Sequence, residues 1–270
     1  MLTGVQVQAP GDDILDLTLE DYSQGYILTN IEGLEPVKAN IVATDYAQLD
    51  GTRYLSSYRS NRDVKFTIEL EPYDYTISVS ELRAHLYKFF LPKTPVTLVF
   101  YDYVLPPVQI TGYVEDFSTE LFTKTPTVNV SVYCNDPDFV ETTPSSVTGV
   151  SGGLSYPFTY KGNVETGMVM TIRSSQINSG LTIYHGVGAV KKTFQLDYQF
   201  AINDVITISS VRGDKYVTLN RNGVVSSILY SVVAGSVWPV AKLGTNTVQV
   251  QQTKAGSSFT ATWLARRGGL

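Results

Sequence analysis

The sequence predicts a mainly β protein in two parts, and three observations carry that prediction. Eighteen Tyr against two His, with Val, Ile and Thr frequent throughout the 270 residues, favour strands over helices. Apolar and polar residues alternate with period two in "VKFTIEL" (64–70) and "TVNVSVYC" (127–134), as they do in half-buried strands. Charge is split along the chain: residues 1–144 hold 21 Asp/Glu and 9 Lys/Arg, net −12, whereas residues 145–270 hold 4 and 11, net +7. Such asymmetry marks two halves with different surroundings. An apolar content of 43% with 17% charged residues gives each half material for a core.

In chain order, "GYILTNIEGL" (25–34), "TPVTLVFYDY" (94–103) and "VQITGYVEDF" (108–117) join the two alternating runs as strands of the first half, each bounded by Gly or Pro. One helix interrupts them. Ser78 with Glu81 three residues later forms a capping box, Leu82, Leu86, Phe89 and Phe90 follow at helical spacing, and Pro92 stops the run. "ETTPSSVTGVSGGLSYP" (141–157) is rich in Ser, Gly, Thr and Pro without an apolar period and falls where the charge changes sign, so it reads as a linker. The expected division is a first domain over 1–143, a linker over 144–157 and a second domain over 158–270. Eight short strands are expected in the second half, over 168–173, 181–185, 193–200, 205–209, 215–220, 224–230, 247–251 and 259–265. Asn222-Gly223 suits a tight hairpin turn between two of them. Regular short strands without an internal repeat describe a sandwich or jelly roll rather than a propeller or solenoid.

The composition excludes several kinds of chemistry. A single cysteine rules out an internal disulfide and a cysteine-based zinc cage. No stretch approaches the ~20 apolar residues that span a bilayer. "MLTGVQVQAPGDD" has no basic start followed by an apolar run, so the protein is expected to be made and folded in a cytoplasm. Phosphate-binding glycine loops, nucleophile elbows and metal-binding His-Glu helices are absent from the sequence. No catalytic, metal-ligating or cofactor-binding residue is assigned: Asp and Glu are plentiful enough to supply a glycoside-cleaving carboxylate pair, but nothing selects one pair over the rest.

Cys134 with Asp136 and Asp138 has the outline of a thiolate or cation site, yet acidic neighbours raise a thiol pKa and the glycine and closing glutamate of a calcium loop are missing. The structural reading is a packed thiol followed by an Asn135-Asp136-Pro137 turn. His85 is expected on the helix surface, off its apolar face, and His185 in a strand-to-turn position before Gly186. Arg212-Gly213-Asp214 spells an adhesion tripeptide but equally an ordinary turn. "DGTRYLSSYRSNRD" (50–63) is more informative, because Arg53, Tyr54, Tyr58, Arg59 and Arg62 mix cations and aromatics in an acidic half, as interfaces do. The same stretch also reads as a solvated hairpin whose arginines pair with nearby carboxylates. On the interface reading, Arg59→Glu and Arg62→Glu leave the monomer folded and weaken self-assembly.

Three stretches together resemble the distal tail protein (Dit) family of long-tailed, non-contractile bacteriophages. They are "YILTNIEGLEPVKANIVATDYAQLDGTRYLSSYRSNRDVKFTIEL", "VNVSVYCNDPDFVE" and "WPVAKLGTNTVQV". The resemblance implies an N-terminal β-sandwich ring (belt) domain with one α-helix, then a C-terminal galectin-like or jelly-roll β-sandwich. It further implies a structural protein rather than an enzyme: a homohexameric ring at the distal end of the virion tail, assembled in the host cytoplasm, joining the tail tube to a hub or fibre protein. DNA passes through such a ring without specific binding, and an acidic lumen would aid its passage. The cationic second domain would meet receptor-binding proteins or an anionic cell-wall polymer. The galectin sugar cluster is incomplete here, since Asn220, Arg221 and Asn222 come without a histidine and Trp238 precedes Pro239. The competing reading is a free carbohydrate-binding or carbohydrate-active β-sandwich that acts in host adsorption.

Overall fold

Two β units of different design follow from where the alternation is kept and where it lapses. The computed structural model describes residues 2–11, 13–19, 23–47, 49–72, 77–120, 122–188 and 190–270. It divides into one unit of Met1–Thr142 with Gly268–Leu270 and a second of Thr143–Arg267.

The first unit contains β1 (Leu2–Gln8), β2 (Ile14–Thr18), β3 (Tyr26–Glu32), β4 (Ala39–Asp45), β5 (Thr52–Arg59), β6 (Arg62–Leu70), α1 (Val79–Phe90), β7 (Pro95–Asp102), β8 (Val108–Glu120), β9 (Thr127–Cys134) and β10 (Phe139–Glu141). Strands pair antiparallel in the order β2-β1-β7-β8-β9-β6-β3, with β10 against the start of β8. The two ends of that path, β2 and β3, come back into contact, so the sheet curls around one core. Val64, Phe66 and Ile68 of β6 and Val128, Val130 and Val132 of β9 supply alternate residues to it. Helix α1 closes the core with Leu82, Leu86, Phe89 and Phe90, the four positions its sequence period singles out. Its capping box is formed: Glu81 N donates to Ser78 Oγ at 3.2 Å, and Ser78 N to Glu81 Oε2 at 2.7 Å.

The second unit contains β11 (Ser145–Val150), β12 (Tyr156–Tyr160), β13 (Thr166–Gly167), β14 (Val169–Arg173), β15 (Asn178–Val187), β16 (Lys192–Phe200), β17 (Val205–Val211), β18 (Asp214–Arg221), β19 (Val224–Ser227), β20 (Val240–Ala241), β21 (Gly244–Gln252) and β22 (Ser258–Trp263). A six-stranded sheet, β11-β22-β14-β17-β18-β19, and a four-stranded sheet, β12-β21-β15-β16, share one core, with β13 and β20 as a separate short pair. This is the sandwich that the second half predicts. Asn222 and Gly223 turn between β18 and β19 with φ of 53° and 86°, as the hairpin dipeptide requires.

The expected linker is not one. Residues 145–150 pair along their whole length with β22, and residues 156–160 with β21. Their Ser, Thr and Gly suit edge strands that expose most of their side chains, which is why no apolar period showed. Residues 268–270 depart from the expected second domain as well: they fold with the first unit, where Leu270 N donates to Leu34 O at 3.0 Å.

Candidate functional site: an exposed hairpin and its anchor

Strands β4 and β5 pair only with each other, as a hairpin roughly 25 Å long. Every described residue from Lys38 to Arg59 is exposed. Register assigns its two faces. Asn40 opposite Tyr58 and Val42 opposite Ser56 share one, with Thr44 opposite Arg53; Ile41 opposite Ser57 lies on the other. A bulge at Leu55 then shifts Tyr54, opposite Ala43, to the Ile41 face, where its hydroxyl meets Ser57 Oγ at 2.8 Å. Each face therefore presents an aliphatic and an aromatic side chain to solvent: Ile41 (68% exposed) with Tyr54 (61%), and Val42 with Tyr58 (62%). An isolated two-stranded hairpin is marginal in water, and this one gains nothing from its own domain on either face.

The five candidate interface residues separate into two groups. Arg53, Tyr54 and Tyr58 stand on the open hairpin. Arg59, at its base, forms a bidentate ion pair with the buried Asp138, its Nη2 donating to Oδ2 at 2.9 Å and its Nη1 to Oδ1. Arg62 is no surface residue at all, being 1% exposed. Its guanidinium donates to four carbonyls: Nε to Pro137 O at 2.7 Å, Nη1 to Glu35 O at 2.7 Å and to Gly33 O, and Nη2 to Gly268 O at 2.6 Å. It also lies over the Phe139 ring at 4.4 Å from the centroid. Burial lowers its pKa from the ordinary value; the Asp138 and Glu35 carboxylates oppose this and the Arg59 charge adds to it. The expectation that charge reversal at 59 and 62 spares the fold is therefore corrected, because both cations hold the hairpin's root to the turn after β9. Arg59 answers to the alternative reading, an arginine paired with a local carboxylate.

That turn explains the Cys-Asp-Pro motif. Cys134 is fully buried and burial pushes its thiol up to about 12, so it is a packed residue and not a nucleophile. Asp138 belongs to the arginine anchor, and Asp136 accepts the Asp138 amide at 3.2 Å. His85 is exposed on α1, its Nδ1 2.9 Å from the Tyr26 hydroxyl. Arg212-Gly213-Asp214 is the β17–β18 turn. Arg221 grips Asp204, with Nη2 to Oδ2 at 2.6 Å, and Asn220 Oδ1 accepts the Gly223 amide at 3.0 Å. Trp238 packs on Phe194 at 4.9 Å between centroids, so these residues are taken up by the fold rather than gathered for a sugar.

His185 departs from its expected turn. It sits within β15, buried, with Nε2 donating to Val237 O at 2.9 Å. Burial holds its pKa below the ordinary value near 6.5; the Val237 bond opposes this and the Lys192 and Lys242 charges add to it. The unfolded chain thus binds a proton near pH 6.5 that the folded chain refuses, so this stability is present above that pH and lost as pH falls below it. Calorimetric melting between about pH 7 and 5 is expected to show a declining midpoint, with a shallower decline in His185→Gln.

On the outward side of β3, β6, β9 and β8, Glu32, Asp63, Glu115 and Asp116 surround a shallow groove of about 450 Å³, with Lys65 among them. Among the described residues no cluster of His, Cys, Asp and Glu forms a metal site.

Residues 161–266 match the family described as siphovirus-type tail component, C-terminal domain. The match lies within the second unit and bears out the Dit resemblance read from the sequence. Among solved structures, the fold is that of the Dit protein of phage SPP1, described as a paradigm of the hub adsorption apparatus in phages that infect Gram-positive bacteria. The two are 15% identical, with a TM-score of 0.70 over 96% of this chain and 98% of that one. Chains of the phage p2 baseplate in its activated conformation, with calcium and with strontium, are also similar. They are 9% and 10% identical, with TM-scores of 0.49 and 0.47, each over 97% of this chain and 98% of theirs. No curated protein matches the chain.

Proposed function

We propose that the protein is the hub subunit at the distal end of the tail, where six copies close a ring that joins the tail tube to the tip or fibre protein and surrounds the DNA exit channel. The observation that carries this reading is the hairpin with apolar and aromatic side chains on both faces and no cover from its own chain. Cyclic closure needs a contact in which one patch meets a different patch on the next copy. A projecting hairpin supplies such a patch, since a neighbour that sheathes it buries both faces at once. The acidic outward face of β3, β6, β9 and β8 gives the ring a wall that phosphates do not adhere to. The net +7 of residues 145–270 suits a second unit turned toward anionic partners. Native mass measurement and negative-stain imaging of the full chain, alone and with tube and tip proteins, are expected to show closed rings of six. A chain that stays monomeric beside both partners would end the proposal.

A further inference from the structure

One feature of the second unit is absorbed by neither folding nor ring closure. The pairings of the six-stranded sheet set Thr148 opposite Thr260, Thr260 opposite Thr171, Thr171 opposite Thr207, Thr207 opposite Thr218, and Thr218 opposite Ser227. A single row of hydroxyls therefore crosses every strand from β11 to β19, at a spacing of about 4.8 Å and over about 24 Å in all. The row faces outward, because the residues one step along each inner strand, among them Ile172, Ile206, Leu219 and Phe259, are in the core. Thr148, Thr171 and Ser227 are exposed and the other three half-buried. Among the described residues none of the six hydroxyls has an internal hydrogen-bond partner. Thr262, also on that face, is different: its hydroxyl donates to Val169 O at 3.2 Å.

The next row gives the charge. Arg173 is set opposite Val205, Val205 opposite Asn220 and Asn220 opposite Val225, with Arg173 exposed and Asn220 half-buried. Neither row contains an acidic residue. Aligned hydroxyls both donate and accept, so they match a partner that carries hydroxyls along its length. An unopposed arginine beside them selects phosphate over a neutral sugar. Thr is at home on exposed strands, but strand preference alone does not align five of them with a serine in one row; Asp214, at the far end of β18 on the same face, lies outside both rows.

We infer that this face binds a phosphate-bearing polyol or sugar polymer laid across the strands. The inference rests on the reading above that the second unit meets anionic partners and is independent of ring closure, so it is tested by direct binding. Titration calorimetry of the full chain with poly(glycerol phosphate) is expected to show binding that weakens as salt rises. Dextran, uncharged and also hydroxylated, is expected to bind far less. Thr171→Val with Thr207→Val keeps side-chain shape and strand preference while removing two hydroxyls, and is expected to weaken binding about tenfold. Arg173→Ala, an exposed change that spares the core, is expected to do the same, with both melting points unaltered. Absence of phosphate-polymer binding, equal binding of dextran, or affinity unmoved by both variants would overturn the inference. So would retention of a tail protein by this face with the polymer ignored. Monomers that bind the polymer would leave it standing while the ring fails.

Discussion

Arg62→Ala is expected to destabilise the first unit by about 3–5 kcal/mol, read as an earlier midpoint in guanidinium chloride unfolding. The guanidinium serves Gly33, Glu35, Pro137 and Gly268 at once, so its loss strands carbonyls in a place water does not reach. It also empties the space over the Phe139 ring. Arg62→Lys is expected to recover only part of the loss. A lysine offers its three donors from one nitrogen, whereas the four carbonyls are reached from three nitrogens of a planar fork. A cost below about 1 kcal/mol would show that the carbonyls find other donors.

Ring closure is expected to fail when either face of the hairpin is stripped. Ile41→Ser with Tyr54→Ser clears one face, and Val42→Ser with Tyr58→Ser clears the other. Truncating a central interface aromatic costs about 2 kcal/mol or more, close to thirtyfold in each contact, and a ring meets that cost at every joint. These side chains are exposed in the isolated subunit, so unfolding midpoints are expected to stay near that of the parent. Light scattering at matched concentrations distinguishes rings from single copies. Intact rings in one variant would remove that face from the interface.

What was legible in the sequence was what depends on near neighbours. Helix α1 is specified by Ser78, Glu81 and four apolar residues within one short stretch, and β6 and β9 by alternation that one buried face enforces. The β4–β5 hairpin escaped assignment strand by strand because alternation records burial within the chain, and neither face is buried there. The reading of 50–63 as a solvated hairpin caught its second strand but not the first, and Gly51, at φ 100°, lies in the turn between them. Three arginines between 53 and 62 looked alike, yet one is solvated, one pairs across 79 residues with Asp138, and one reaches Gly268 across 206. Such distances leave no local pattern. The hydroxyl row is of the same kind: it exists only once five registers have aligned strands far apart in sequence.

Because residues 268–270 rejoin the first unit, the second is an insertion, entered near residue 142 and left near residue 267. Two covalent strands of chain cross between the units. Cutting the chain near residue 142 would leave the second unit joined to the first only through residues 268–270 and the bonds that hold them, Leu270 N to Leu34 O and Arg62 to Gly268 O. Arg62, through its grip on the Gly268 carbonyl, secures the return crossing like a mooring cleat.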